Sequence, residues 1–164
     1  MTWFFRRRGE AAPATPAAQQ TDPADSPVAL RQSLANLIRF INQNAGRLPG
    51  VAVVHARRVT DVLQAIIDTS EVRPLEIHAL LSLKGMLNDY LPTTLRSFLA
   101  VDERLLDTQR LGGQSPTQRL LEQLDILHAS AERVLVAVRS QDADALVTQG
   151  NFLRAKFAGS DLDL

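Results

Sequence analysis

The chain has no cysteine, one tryptophan and one tyrosine, and of its eighteen basic residues only two are lysine. Without cysteine there is no disulfide framework, no thiolate metal site and no cysteine nucleophile. Eighteen acidic residues balance the eighteen basic ones, so the formal net charge is zero. That balance argues against a nucleic-acid partner, because phosphate recognition needs a surplus of Lys and Arg. No apolar run approaches the roughly 20 residues that a membrane-spanning helix requires. The period-two alternation of half-buried strands is almost missing. Neither Gly-x-Ser-x-Gly, a glycine-rich phosphate loop before a lysine, nor His-Glu-x-x-His occurs. The sequence therefore offers no catalytic, cofactor-binding or metal-ligating set.

What remains divides into an arm and a domain. Residues 1–26 open with Trp3, Phe4 and Phe5, followed by Arg6, Arg7 and Arg8, and continue with a stretch of Ala, Pro and small polar residues. That stretch has too little apolar surface to offset its ordering entropy, so residues 1–26 read as a disordered aromatic and basic arm with a flexible linker. The aromatics precede the arginines and a polar segment follows, the reverse of a secretory signal. This order points to a cytoplasmic protein, peripheral at the inner face of the membrane. The arm's six head residues are the candidate contact with an anionic membrane or a protein partner.

From Pro27 the period becomes helical, and residues 27–158 read as an all-α antiparallel bundle of five or six helices, with 159–164 as an acidic tail. Ser26 and Pro27 start a first helix to about Asn44, with Leu30, Leu34, Leu37, Ile38 and Ile41 on its apolar face. A second runs from about Val51 to Asp68, with Val51, Val59, Val62 and Ile66 inward and Val54 and Leu63 on its flanks; Glu71–Pro74 is the turn after it. A third, about Leu75 to Leu91, presents Ile77, Leu80, Leu83, Leu87 and Leu91, and Pro92 stops or kinks it. A further helical stretch carries Leu95, Phe98, Leu99, Leu105 and Leu106. Ser115-Pro116-Thr117-Gln118 is a capping box that starts the next helix, with Leu120, Leu124, Leu127, Ala131, Val134 and Val138 along its seam. The last helix, about Ala143 to Phe157, places Gly150 among Leu146, Leu153 and Phe157, which suits a close helix contact.

The three histidines are the side chains best suited to chemistry. His55 lies on the stripe of Val51 and Val59 and reads as a neutral core histidine. His128 has Asp125 and Glu132 within one turn, which suits a helix-surface ion pair. His78 points away from the apolar face. The Glu-x-x-His spacing of bundle di-metal sites does not occur.

Two segments carry a resemblance. Asn88-Asp89-Tyr90-Leu91-Pro92-Thr93-Thr94-Leu95 resembles the Tyr-Leu-Pro-x-Thr-Leu segment of the bacterial 5-bromo-4-chloroindolyl phosphate hydrolysis family, whose genes often neighbour toxic-anion (tellurite) resistance genes. Residues 144–153, Asp144 to Leu153, are similar to the tail of uncharacterised actinobacterial proteins of the same helical layout. The resemblance implies a link to envelope or toxic-anion stress, and the family's name implies phosphate-monoester hydrolysis; it assigns no catalytic residue. The residues themselves favour a non-enzymatic helical interaction or adaptor module with a protein partner. A phosphate-monoester hydrolase is the alternative.

Overall fold

The computed structural model describes residues 23–109, 113–141 and 143–158. Among them are six α-helices and no strand: α1 (Pro27–Asn44), α2 (Gly50–Val72), α3 (Ile77–Gly85), α4 (Leu91–Leu99), α5 (Pro116–Ser140) and α6 (Ala143–Ala158). A single π-helical turn, Met86–Tyr90, joins α3 to α4, and 3₁₀ turns lie at Pro23–Asp25 and Glu103–Leu105. The chain is an all-α bundle.

Local chemistry sets most of the boundaries. Ser26 Oγ accepts from the Ala29 N–H at 3.2 Å and donates to the Pro23 carbonyl at 2.8 Å, while Pro27 occupies the first turn, where its missing N–H leaves no bond unmade. Leu30, Leu34, Leu37 and Ile41 then repeat at four and three residues and are all buried, with Ile38 packed at their edge. The capping box of α5 is present in both directions: Ser115 Oγ accepts from the Gln118 N–H, and Gln118 Oε1 accepts from the Ser115 N–H.

The second helix differs from its sequence reading in length and, over its first turns, in which side chains turn inward; Val59 and Ile66 are buried as read. It continues to Val72 because Pro74, rather than the acidic Glu71, ends it: a residue before proline is pushed out of the α region, and Arg73 is extended at φ −149°. Its core face is Ala52, Ala56, Val59, Leu63, Ile66 and Ile67, each with no exposed surface. Val51, expected inward, and Val54, expected on the flank, are each 56% exposed. The alanines decide the phase. With no side chain beyond Cβ they let α2 lie close to α5, its most extensive partner, and the bulkier valines are turned out.

Pro92 does not end the run of helical turns after α3; it sits in the first turn of α4. The chain widens by one residue through the π turn, where the Leu91 N–H bonds to the Met86 carbonyl, and α4 continues beyond it. A proline ring collides with the carbonyl four residues back in a regular helix and lacks the N–H that would bond to it; the wider turn relieves both. Leu91, Leu95 and Phe98 stay buried, whereas Ile77 is 56% and Leu105 is 42% exposed, contrary to their expected core places.

Neighbours in sequence pair antiparallel. Arg31 of α1 meets Asp68 and Glu71 near the end of α2, and Arg133 of α5 donates to Gln149 of α6 at 2.8 Å. The Arg31 guanidinium holds the Glu71 carboxyl below the usual carboxylate range, chiefly through their hydrogen bond. The pairs that join α2 to α5 and α3 to α6 run the same way along both helices: His55 meets Asp125, Ser82 faces Gly150 and Tyr90 stacks on Phe157. Asp25, just before α1, reaches Lys84 at the end of α3 with Oδ1–Nζ 2.5 Å.

Where α6 packs, the fit is polar as well as apolar. Ser82 Oγ, Ser130 Oγ and Gln149 Nε2 are buried and have no hydrogen-bond partner among the described residues. A Cβ added to Gly150 would stand 3.4 Å from Ser82 Oγ, an ordinary contact. Gly150→Ala is therefore expected to stabilise the bundle by about 0.5–1 kcal/mol through helix propensity. Gly150→Leu should destabilise it by about 1–3 kcal/mol through overpacking against α3. Urea denaturation of the two variants should move the midpoint in opposite directions. Movement in the same direction would mean that Gly150 does not lie at a size-limited contact.

Candidate functional site

Three places in the described chain are candidates for a site. The first is the crossing of α2 and α5. His55 Nδ1 lies 2.7 Å from Asp125 Oδ1, with the imidazole side chain 22% exposed. His55 is thus at the edge of the core rather than inside it, and its partner is a carboxylate on another helix. Asp125 turns to α2 instead of to His128. His128 pairs with Glu132 one turn on, at 3.6 Å, as an ordinary helix-surface contact. His78 is half-buried at the start of α3, where its backbone N–H is held by Glu76 at 2.8 Å.

An imidazole oriented by a carboxylate is two-thirds of an acid–base triad. Among the described residues no hydroxyl hydrogen-bonds to either side of the His55–Asp125 pair, and no three His, Asp or Glu side chains are grouped to hold a metal ion. What lies beside the pair is apolar: Val51 and Val54 flank His55 on the outer surface of α2.

The second place is the π turn, which holds the start of one segment singled out by resemblance and touches the end of the helix that holds the other. Asn88–Leu95 forms most of the turn and the start of α4, and residues 144–153 form most of α6. Tyr90 stacks on Phe157 at the end of α6, with ring centroids 5.2 Å apart and planes 23° apart. Burial raises the Tyr90 hydroxyl above its ordinary pKa, the Asp89 carboxylate raises it further, and Arg154 opposes both. The widened turn sets Tyr90 back over Gly85. A Cβ at residue 85 would lie 2.8 Å from Tyr90 Cε2. Sequence reading missed this pairing. Its signal was there: a helical glycine, a tyrosine five residues later and a proline two residues beyond.

The third place is a cleft of about 250 Å³ where the ends of α2 and α5 meet the turn before α3 and the first half of α6. Leu75, Val138 and Leu146 provide apolar wall, and Arg73, Glu76 and Gln141 provide the polar part. Gln141 ends α5 in the left-handed conformation, φ 59°. The cleft exists because α2 overruns to Val72 and Pro74 then forces the turn; with α2 ending at Asp68 it has no wall.

Trp3, Phe4, Phe5, Arg6, Arg7 and Arg8, the candidate contact residues, lie outside the described residues, as do Gly112 and the acidic tail. No protein-family model, curated protein or solved structure matches the chain.

Gly85→Ala tests the π-turn arrangement. Ala is the better helix former by about 1 kcal/mol, so an open position would be stabilised. Here the added methyl meets a ring packed on Phe157, and the expected result is net destabilisation of about 1–2 kcal/mol. In Tyr90→Leu the same substitution should cost much less, giving a coupling energy above about 0.5 kcal/mol in a double-mutant cycle. Additive effects would remove Tyr90 from the contact.

Proposed function

We propose that the protein is a non-enzymatic helical interaction module that its N-terminal arm brings to an anionic membrane surface, in an envelope- or toxic-anion-stress system. The observation that carries the reading is the outward placement of aliphatic side chains at helical spacing. Val51 and Val54, three residues apart on α2, are each 56% exposed beside the half-buried His55–Asp125 pair. An apolar face with a polar pair at its edge is the composition of a protein-docking surface. The stress-system assignment follows the resemblance of Asn88–Leu95 to a family whose genes often neighbour toxic-anion resistance genes.

Membrane contact rests on the arm's composition. No helix among the described residues is long and apolar enough to cross a membrane. Trp3, Phe4 and Phe5 suit the interface, where aromatic rings are favoured. Arg6, Arg7 and Arg8 each contribute about 1 kcal/mol near an anionic surface, so together roughly a hundredfold enrichment. One such signal gives reversible recruitment, not a permanent anchor.

Vesicle co-sedimentation tests the reading. The protein should pellet with anionic vesicles and not with neutral ones, and binding should fall as salt rises. The triple substitution of Trp3, Phe4 and Phe5 by Ala should release it. Wild-type protein that stays in the supernatant with anionic vesicles at low salt would sink the membrane part.

A further inference from the structure

Helix α3 is apolar on more sides than its place in the bundle uses. Ala79, Ser82 and Leu83 are its buried positions. Ile77 and Leu81, one turn apart and therefore one above the other on a single face, are 56% and 57% exposed. A helix that is hydrophobic on its outer face as well as its inner one is a helix with a second partner.

The chain itself leaves the described structure beside that face. Asp25 is tied to Lys84 at 2.5 Å, with the two side chains 18% and 34% exposed. Lys84 is one turn beyond Leu81 on α3. The preceding residues, 1–22, therefore enter at the end of the apolar stripe. Their far end holds the Trp3-Phe4-Phe5 cluster, and Gly9 to Asp22 provide a spacer without a large apolar side chain.

We infer that the exposed Ile77–Leu81 face of α3 is the docking site of the chain's own Trp3-Phe4-Phe5 segment. Reach favours it. A coil of fourteen residues, the length of Gly9 to Asp22, would span about 20 Å on average, whereas Ile77 lies about 10 Å along the helix from Lys84. Of the other exposed aliphatic side chains, Val51 and Val54 are at the opposite end of the α1–α2 hairpin, about 27 Å away along the eighteen-residue α1, while Val28 and Val72, nearer the entry, each stand alone at a helix end without a second exposed apolar side chain one turn away. Tethering also makes a weak contact sufficient: an effective concentration near the millimolar range half-fills a site whose intrinsic Kd is about 1 mM. Charge agrees with the placement. Lys84 is already paired with Asp25, and exposed Glu76 next to Ile77 is an acidic neighbour for Arg6, Arg7 and Arg8. The docked arm is withdrawn from solvent, so a membrane or partner that takes the aromatics must compete with α3. The contact itself does not depend on any membrane reading.

Trp3 is the chain's only tryptophan, so its fluorescence reports on this contact alone. The test uses the full chain at micromolar concentration without lipid, compared with a free peptide of residues 1–22. Docking predicts blue-shifted emission and acrylamide quenching lowered by about half, in line with half-filled occupancy. The double substitution Ile77→Ser, Leu81→Ser should return both readings to those of the peptide. Its circular dichroism and melting should stay close to wild type, because both side chains are already exposed. Val136→Ser, at a 65% exposed position on α5, should change nothing. Peptide-like Trp3 in the wild type, or no response to the double substitution, overturns the proposal. So does protection that appears only as protein concentration is raised, which would assign the site to the arm of another copy. No vesicle enters this test, so its failure and that of membrane recruitment are read separately.

Discussion

The bundle depends on how closely α2 can lie along α5. Ala52 and Ala56 on one side and Ser130 and Ala131 on the other are fully buried and carry little side chain. Small residues at a helix contact shorten the distance between axes, and the longer Val59, Leu63 and Ile66 then fill the layers beyond. The two helices run in the same direction, so the chain between them has to travel back. The segment from α3 through the π turn to α4 does this in one bent helical run. The His55–Asp125 pair and the cleft at Arg73 follow from the same contact, one near each end of the shared length.

The packing of α6 follows a different rule. Its neighbours meet it through Ser82, Gly150 and the Arg133–Gln149 hydrogen bond as much as through Leu146 and Leu153. Each buried polar atom left without a partner costs about 1–3 kcal/mol. The last helix is thus packed on the core at a greater polar cost than α1, whose buried residues are all leucine and isoleucine.

Much of the fold was legible where one local signal decided it. The Ser26–Pro27 start, the leucine stripe of α1 and the capping box at Ser115 each rest on a few neighbouring residues, and each stands in the structure as read. The phase of the first turns of α2 was not legible, because a valine outranks an alanine in any hydrophobic pattern while the geometry of close packing prefers the alanine; Val59 and Ile66 further along are buried as read. The end of α2 was placed about one turn too early: Glu71–Pro74 was read as the turn, whereas the helix runs to Val72 until the residue before Pro74 is forced out of the α region. The candidate sites were legible least. His55 and Asp125 are seventy residues apart, a separation read from their numbers alone, and no spacing rule joins them. The cleft is a property of two helix ends. Tyr90 over Gly85 requires a five-residue turn that a period of 3.6 does not contain.

The π turn is also a piece of bookkeeping in chain length. A regular helix over the same path would use one residue fewer, so Met86–Tyr90 holds an insertion in place. Removing a residue there would rotate everything beyond it by about 100°, a single helical step. Leu95 and Phe98 would swing out of the core and Arg96 would swing in. Pro92 guards against this, because it makes the shorter, regular path sterically costly. Sequences that keep this bundle should therefore tolerate length changes at 100–115, between α4 and α5, far more readily than between Gly85 and Leu91.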